Sequence, residues 1–248
     1  MSNLTYKILL VFSLILVAEN SFSQNKFFNS FLNGLSFSAS LNYVSSASIQ
    51  PYPYSRDIIE RNFTDYTKGG YGFSFSIKKN IYKSDLFINL SAEYIRIYDN
   101  ELSQLLESDT GFIYGRVTEN IKAFPVELSL YFKLPQFTDN FSIYLGGGAG
   151  IYFGDRQRTL RGIESITLSK APKVNILVLS GMEYRIDKNI SLFMEARFRK
   201  AQFNVSSKFP VNYTVFNGTT FFFDPDMNSK IFVDGVRISL GLSYYFTP

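Results

Sequence analysis

The sequence predicts an all-β fold, a closed antiparallel transmembrane β-barrel of about eight strands, with long connections at one end and short turns at the other. Three observations predict it. Apolar residues recur at every second position through most of the chain after Gly34, the period of a strand with two unlike faces. Nothing beyond Ala18 approaches the roughly 18 continuous apolar residues of a spanning helix, so a chain of this kind crosses a membrane with strands. The composition agrees: 26 Phe and 17 Tyr stand beside only 19% charged residues, where a soluble domain carries about 25%.

The strands are read in order. In the first, Leu35, Phe37, Ala39, Leu41 and Tyr43 share one face, against Ser36, Ser38, Ser40 and Asn42. The second sets Tyr71, Phe73, Phe75 and Ile77 against Gly72, Ser74, Ser76 and Lys78. The third sets Leu86, Ile88, Leu90, Ala92 and Tyr94 against Phe87, Asn89, Ser91 and Glu93. In the fourth, Phe124, Val126, Leu128, Leu130 and Phe132 alternate with Pro125, Glu127, Ser129 and Tyr131. In the fifth, Ile143, Leu145, Gly147, Ala149, Ile151 and Phe153 alternate with Ser142, Tyr144, Gly146, Gly148 and Gly150. The sixth, residues 174–186, is ambiguous because residues 176–179 are apolar throughout. The seventh sets Ile190, Leu192, Met194, Ala196 and Phe198 against Ser191, Phe193, Glu195, Arg197 and Arg199. The eighth sets Val236, Ile238, Leu240, Leu242, Tyr244 and Phe246 against Arg237, Ser239, Gly241, Ser243 and Tyr245. Most of these segments match a tilted membrane-crossing strand of about 9–11 residues.

The connections alternate in length. Residues 79–85, 135–140 and 187–188 are short; residues 44–70, 99–123, 154–173 and 200–230 are long. Tight periplasmic turns and long external loops have this asymmetry. Asn217-Gly218 between two apolar runs is a strong hairpin signal, and residues 111–118 also read as extended. Were both to span the membrane the count would be ten; eight spanning strands are expected, with tall hairpins in the second and fourth long connections. Pro125 donates no ladder hydrogen bond, so a bulge or irregular pair is expected there, near the external rim.

Alternation alone also fits a soluble cup or a β-sandwich. The polar face decides: a face turned to bulk water usually carries many Lys and Glu, whereas here it is mostly Ser, Gly and Asn. Small neutral groups suit the narrow interior of an eight-stranded barrel. Its few charges, Glu93, Glu127, Glu195, Arg197, Arg199 and Arg237, have both signs and are expected to pair inside the barrel. Tyr43, Tyr71, Tyr94 and Phe153 fall near the external strand ends, and Phe132, Tyr184, Tyr244 and Phe246 near the periplasmic ends, giving two aromatic belts.

Residues 1–23 read as a signal peptide, leaving residues 24–248 as one barrel domain. Lys7 precedes the apolar run of residues 8–18, and Ser21-Phe22-Ser23 offers small residues for cleavage before Gln24. With no Cys and no His, thiol chemistry and the commonest general base and metal ligand are absent. Net charge is +4 with no long basic run, which argues against nucleic acid. Glu93 with Glu127 suits ion pairing better than acid–base catalysis. Asp224-Pro225-Asp226-Met227-Asn228 starts like a calcium loop but has Ser229 where Gly belongs and Gly235 where the closing Glu belongs. Gly146-Gly147-Gly148 opens no helix, so it reads as space for bulky interior neighbours. No cofactor and no metal are expected.

Four segments carry a resemblance: Phe124-Pro125-Val126-Glu127-Leu128, Tyr144-Leu145-Gly146-Gly147-Gly148-Ala149-Gly150, Glu195-Ala196-Arg197-Phe198 and Gly241-Leu242-Ser243-Tyr244-Tyr245-Phe246. The chain resembles small bacterial outer-membrane β-barrel proteins of the OmpA/OmpX-like and OmpW-like kinds, especially the barrel domains of Bacteroidetes-type bacteria. Gly241, Tyr244 and Phe246 resemble their C-terminal assembly signal, with Thr247 and Pro248 added after it. The resemblance implies outer-membrane lipid and the barrel-assembly machinery as partners. Enzymes among such barrels use a catalytic His, which this sequence lacks. A non-catalytic structural or surface-interaction role, with an extracellular partner at the long loops, is therefore expected. The alternative is porin-like passage of small or apolar solutes.

Overall fold

The computed structural model describes residues 32–81, 85–135, 138, 140–222 and 226–246. The expected signal peptide, and Asp224-Pro225 of the calcium-like segment, lie outside them. The strands are β1 (Leu35–Gln50), β2 (Asp65–Asn80), β3 (Leu86–Ser108), β4 (Gly111–Lys133), β5 (Phe141–Leu160), β6 (Ile163–Glu164), β7 (Ile166–Ala171), β8 (Lys173–Arg185), β9 (Ile190–Arg199), β10 (Gln202–Lys208), β11 (Tyr213–Phe216), β12 (Thr219–Phe222), β13 (Asp226–Phe232) and β14 (Arg237–Tyr245). A short helix α1 (Ile58–Asn62) lies between β1 and β2, capped by Asp57, which accepts from Ile59 N.

Eight strands close an antiparallel ring in the order β1-β2-β3-β4-β5-β8-β9-β14, with β14 returning to β1 from Ser36↔Tyr245 to Val44↔Arg237. Above this ring the wall continues. β13 leads into β14 and pairs with β1; β10 extends β9 and pairs with β13; β7 leads into β8 and pairs with β10. The strands are thus far longer than the sequence reading allowed. β3 and β4 have 23 residues each, about twice the length of a membrane crossing. Much of what was expected as long loops is wall.

The reason is a reversal of polarity partway up each strand. In the lower band the outward residues are apolar and exposed, among them Leu41, Phe75, Leu90, Leu128, Ile151 and Leu240. The inward residues are mainly Ser, Asn, Gly and the charged set, joined by Tyr131, Tyr144, Leu177, Leu179 and Phe193. Above Tyr43, Tyr71, Tyr94, Phe124 and Phe153 the pattern inverts: Val44, Ile95, Ile97, Ile121, Phe203, Val205, Ile231 and Val233 point inward and form one buried cluster. Their outward neighbours include Arg96, Asn120, Lys122, Asp155, Gln157, Asn204 and Asn228. Period two persists, so the strands persist; only the solvent of each face changes. An exposed apolar band below and a polar one above are what hydrocarbon and water respectively demand.

The aromatic belt marks the boundary. Phe73–Tyr94, Tyr94–Phe124 and Phe124–Phe153 ring centroids stand 5.5, 5.2 and 5.9 Å apart on successive strands, and Tyr43–Tyr71 adds a 5.2 Å pair. The belt was expected at the external strand ends; it lies mid-strand. Pro125 sits at this level. It pairs in register with Tyr152 of β5, while the β3 ladder skips from Ala92↔Val126 to Ile95↔Ala123. The missing donor therefore shows as a ladder gap without a bulge. In β8, Ile176 and Val178 face outward and Leu177 and Leu179 inward, which resolves the ambiguous run.

Candidate functional site

All six predicted interior charges meet in the lower lumen, each on an inward position of β3, β4, β9 or β14. Glu93 lies 2.8 Å from Arg199 Nη1 and 2.9 Å from Arg237 Nε, and accepts from Asn42 Nδ2 at 2.8 Å. Glu127 pairs with Arg197, with Arg199 at 3.3 Å, and accepts from the Tyr152 hydroxyl. Glu195 receives Arg197 at 2.6 Å and the hydroxyls of Tyr131 and Tyr144 at 3.1 and 3.3 Å. Three carboxylates face three guanidiniums, so the buried set is neutral, and mutual attraction offsets the desolvation of each ion. Inward glycines make the room. A Cβ on Gly150 would strike Glu127, and one on Gly181 would strike the Tyr144 ring.

The lumen is layered around this cluster. Below it, Tyr131 and Tyr144 stack with centroids 5.2 Å apart and pack with Leu177, Leu179 and Phe87. Beneath these rings a vestibule of about 260 Å³ opens at the end carrying the short turns. Above the cluster lies the apolar layer of Val44, Ile95, Ile121 and Phe203. Higher still is a second buried charge cluster. Arg156 grips Glu119 with Nη2 at 2.7 Å and Nε at 3.0 Å, and Arg158 bridges Glu119 at 3.2 Å and Asp65 at 3.3 Å. Burial pushes the Asp65 carboxyl above its ordinary range, with Arg158 opposing. A second apolar group, Leu106, Val117, Leu160, Phe209, Phe221 and Met227, closes the external end.

An eight-strand ring, an apolar outward band and a filled polar interior together define the architecture. A solved structure has a similar fold: OprG from Pseudomonas aeruginosa superposes with a TM-score of 0.60 at 13% identity, over 87% of this chain and 97% of that one. The chain has the fold of a small outer-membrane β-barrel. Neisserial surface protein A is also similar, with a TM-score of 0.47 and 13% identity over 86% of this chain and 98% of that one. No protein-family model and no curated protein matches the sequence.

Within this outer-membrane barrel, the C-terminal residues singled out in the sequence lie on β14 and just past it. Gly241 faces inward beneath Phe193; Tyr244 faces outward, and its ring meets Phe246 at 5.2 Å, which in turn meets Phe37 at 5.5 Å. The Asn217-Gly218 hairpin is present as β11–β12, with both residues at positive φ. It does not stand free. β12 adds to the tip of β3 through Phe221↔Ser108 and Phe222↔Glu107, so the hairpin folds over the external end and buries Phe221. β11 is left as the outer edge.

Sequence reasoning missed Asp65, Glu119, Arg156 and Arg158, because all four fell in segments taken as loops. The signal was present: after Phe153, Arg156, Arg158 and Leu160 still alternate with Asp155, Gln157 and Thr159. Among the described residues, no three His, Cys, Asp or Glu side chains converge in a way that holds a metal ion.

Proposed function

We propose that this barrel is a non-catalytic surface platform, whose closed lumen holds up an extracellular extension that meets partners. One observation carries the reading: the external end exposes large apolar side chains while the lumen beneath it is filled. Ile58 and Ile59 of α1, Phe112 and Tyr114 at the β3–β4 tip, and Tyr213 and Val215 on the β11 edge are all exposed. Apolar groups presented to water at a loop end mark interaction surfaces, and an unpaired edge strand accepts an added strand. The buried apolar layer around Ile95, Ile121 and Phe203 is the reason for preferring this reading to passage of solutes.

Outer-membrane lipid against the lower band and recognition of Gly241, Tyr244 and Phe246 by the barrel-assembly machinery belong to the same proposal. The test uses cells displaying the protein. Serine substitutions at Ile58, Ile59, Phe112, Tyr114, Tyr213 and Val215 should abolish adhesion to immobilised extracellular proteins and leave heat-modifiable gel migration intact. Adhesion equal to the parent would contradict the proposal. The purified parent in planar bilayers should carry no steady conductance.

A further inference from the structure

The vestibule at the short-turn end has a charge balance unlike the rest of the interior. In the cluster above it every guanidinium faces a carboxylate. The vestibule itself is lined by four cations, Lys78, Lys133, Arg185 and Lys188, and one carboxylate, Glu183. That carboxylate already accepts the Tyr245 hydroxyl at 2.5 Å. Among the described residues, none of the four cations forms an ion pair with a carboxylate, although Glu183 and Asp85 attract Lys133 from further off.

Lys78 is the most distinctive of the four. It is only 5% exposed, and its Nζ stands 4.7 Å from the Phe193 ring centroid, 5.4 Å from Tyr144 and 5.7 Å from Tyr131. Three rings hold the ammonium by its charge, and among the described residues its Nζ makes no hydrogen bond, so its N–H donors remain to be used at the roof of the vestibule. Beside it, Asn89, its partner across the β2–β3 ladder, has both amide atoms buried without a hydrogen-bond partner, as does Ser129 Oγ one strand further on. Glu195 of the cluster above attracts the Lys78 ammonium from beyond ion-pair distance, and a buried ammonium with no direct ion pair is costly unless something supplies one.

We infer that this vestibule, which faces the periplasm in an outer-membrane barrel, binds a small soluble oxyanion, a phosphate- or carboxylate-bearing molecule whose charged group sits under Lys78. Arg185 and Lys188, both exposed at the rim, draw the anion in. Lys133 and Lys78 receive it, since several N–H donors converging on one oxyanion form the stronger, charge-assisted kind of hydrogen bond. The cavity is large enough for the anionic group and a few further heavy atoms. The stacked Tyr131 and Tyr144 bar its way upward, so the site is a receptor and not the entrance to a channel.

The experiment places the refolded barrel in phosphatidylcholine nanodiscs and titrates inorganic phosphate and acetate by calorimetry. Saturable binding of either is expected. Lys78→Met should weaken it by about tenfold. The rim pair Arg185→Gln/Lys188→Gln should weaken it less and steepen no other property of the barrel. The external pair Lys170→Gln/Lys208→Gln removes the same charge and should leave the anion affinity unchanged. Absence of saturable binding, an unchanged affinity in Lys78→Met, or an equal loss in the external pair would overturn the inference. Should Lys78→Met lose heat-modifiable migration, the rim pair decides by the same criterion. In discs containing phosphatidylglycerol, phosphate binding should persist; its loss would assign the site to a lipid headgroup and overturn a soluble ligand.

Discussion

At the scale of the residue, the interior charges behave as linked sets. Glu127 touches Arg197, Arg199 and the Tyr152 hydroxyl; Arg197 and Arg199 keep Glu195 and Glu93 in Glu127→Leu, but the buried set then carries one uncompensated positive charge in a filled lumen. The substitution should cost about 3–5 kcal/mol, read from urea unfolding of the barrel refolded into bilayers; a midpoint like the parent's would show that the pairing matters little. Asp65 differs. Its carboxyl is raised by burial against the opposing Arg158, so the folded state binds a proton more readily than the unfolded one. Stability should therefore rise as pH falls from neutral through the raised value, and Asp65→Asn should remove that rise. A parent stability that falls over this range relative to the variant would contradict the assignment. The lower six charges were legible in the sequence because they sit on strands with an unbroken polar face. The upper four were not, because polarity had changed sides and the alternation no longer looked like the same barrel.

At the scale of the element, side chains replace a backbone ladder between β5 and β7. Above Tyr152↔Lys173, the described β5 and β7 share no backbone pairing. Asp155 spans the gap, accepting from Thr167 Oγ1 at 2.5 Å and from Lys170 Nζ at 3.0 Å. Partial burial pushes its carboxyl up, but Thr167 and Lys170 outweigh this and hold it below the ordinary aspartate range. A depressed carboxylate contributes stability above its unfolded value and loses it as pH falls through the folded one. The clasp should thus hold at neutral pH and open in strong acid. Asp155→Ala should open it at pH 7, seen as faster amide exchange over residues 166–171 with β8 unchanged; equal exchange would show that β7 needs no clasp. The β11–β12 hairpin makes a second test. Phe221 is buried with Leu106 and Phe209, so Phe221→Ala should cost about 3–5 kcal/mol, while Tyr213→Ser, exposed on the edge, should leave the unfolding midpoint in place. The sequence showed this hairpin through Asn217-Gly218, a local signal. Its docking on β3 depends on residues more than a hundred positions away, which no turn chemistry encodes.

At the scale of the whole molecule, one ring of eight strands serves two solvents. Below the aromatic belt the oily side faces out and the polar side in; above it the sides exchange, and a water-facing barrel with an apolar core stands on a lipid-facing one with a polar core. Strand number, antiparallel order and the lower faces could be read from period two together with the alternating lengths of the connections. The height of the barrel could not, since length expectations came from the membrane and the extracellular wall is not bound by them. The chain contains no Cys, so single cysteines introduced at outward positions can be spin-labelled without background. The most direct measurement compares labels at Phe75, Leu128 and Leu240 with labels at Asn120, Gln157 and Asn228 in bilayers. Oxygen dissolved in lipid should relax the first three and a water-soluble nickel chelate the second three. Lipid accessibility at Asn120, Gln157 and Asn228 would contradict the account.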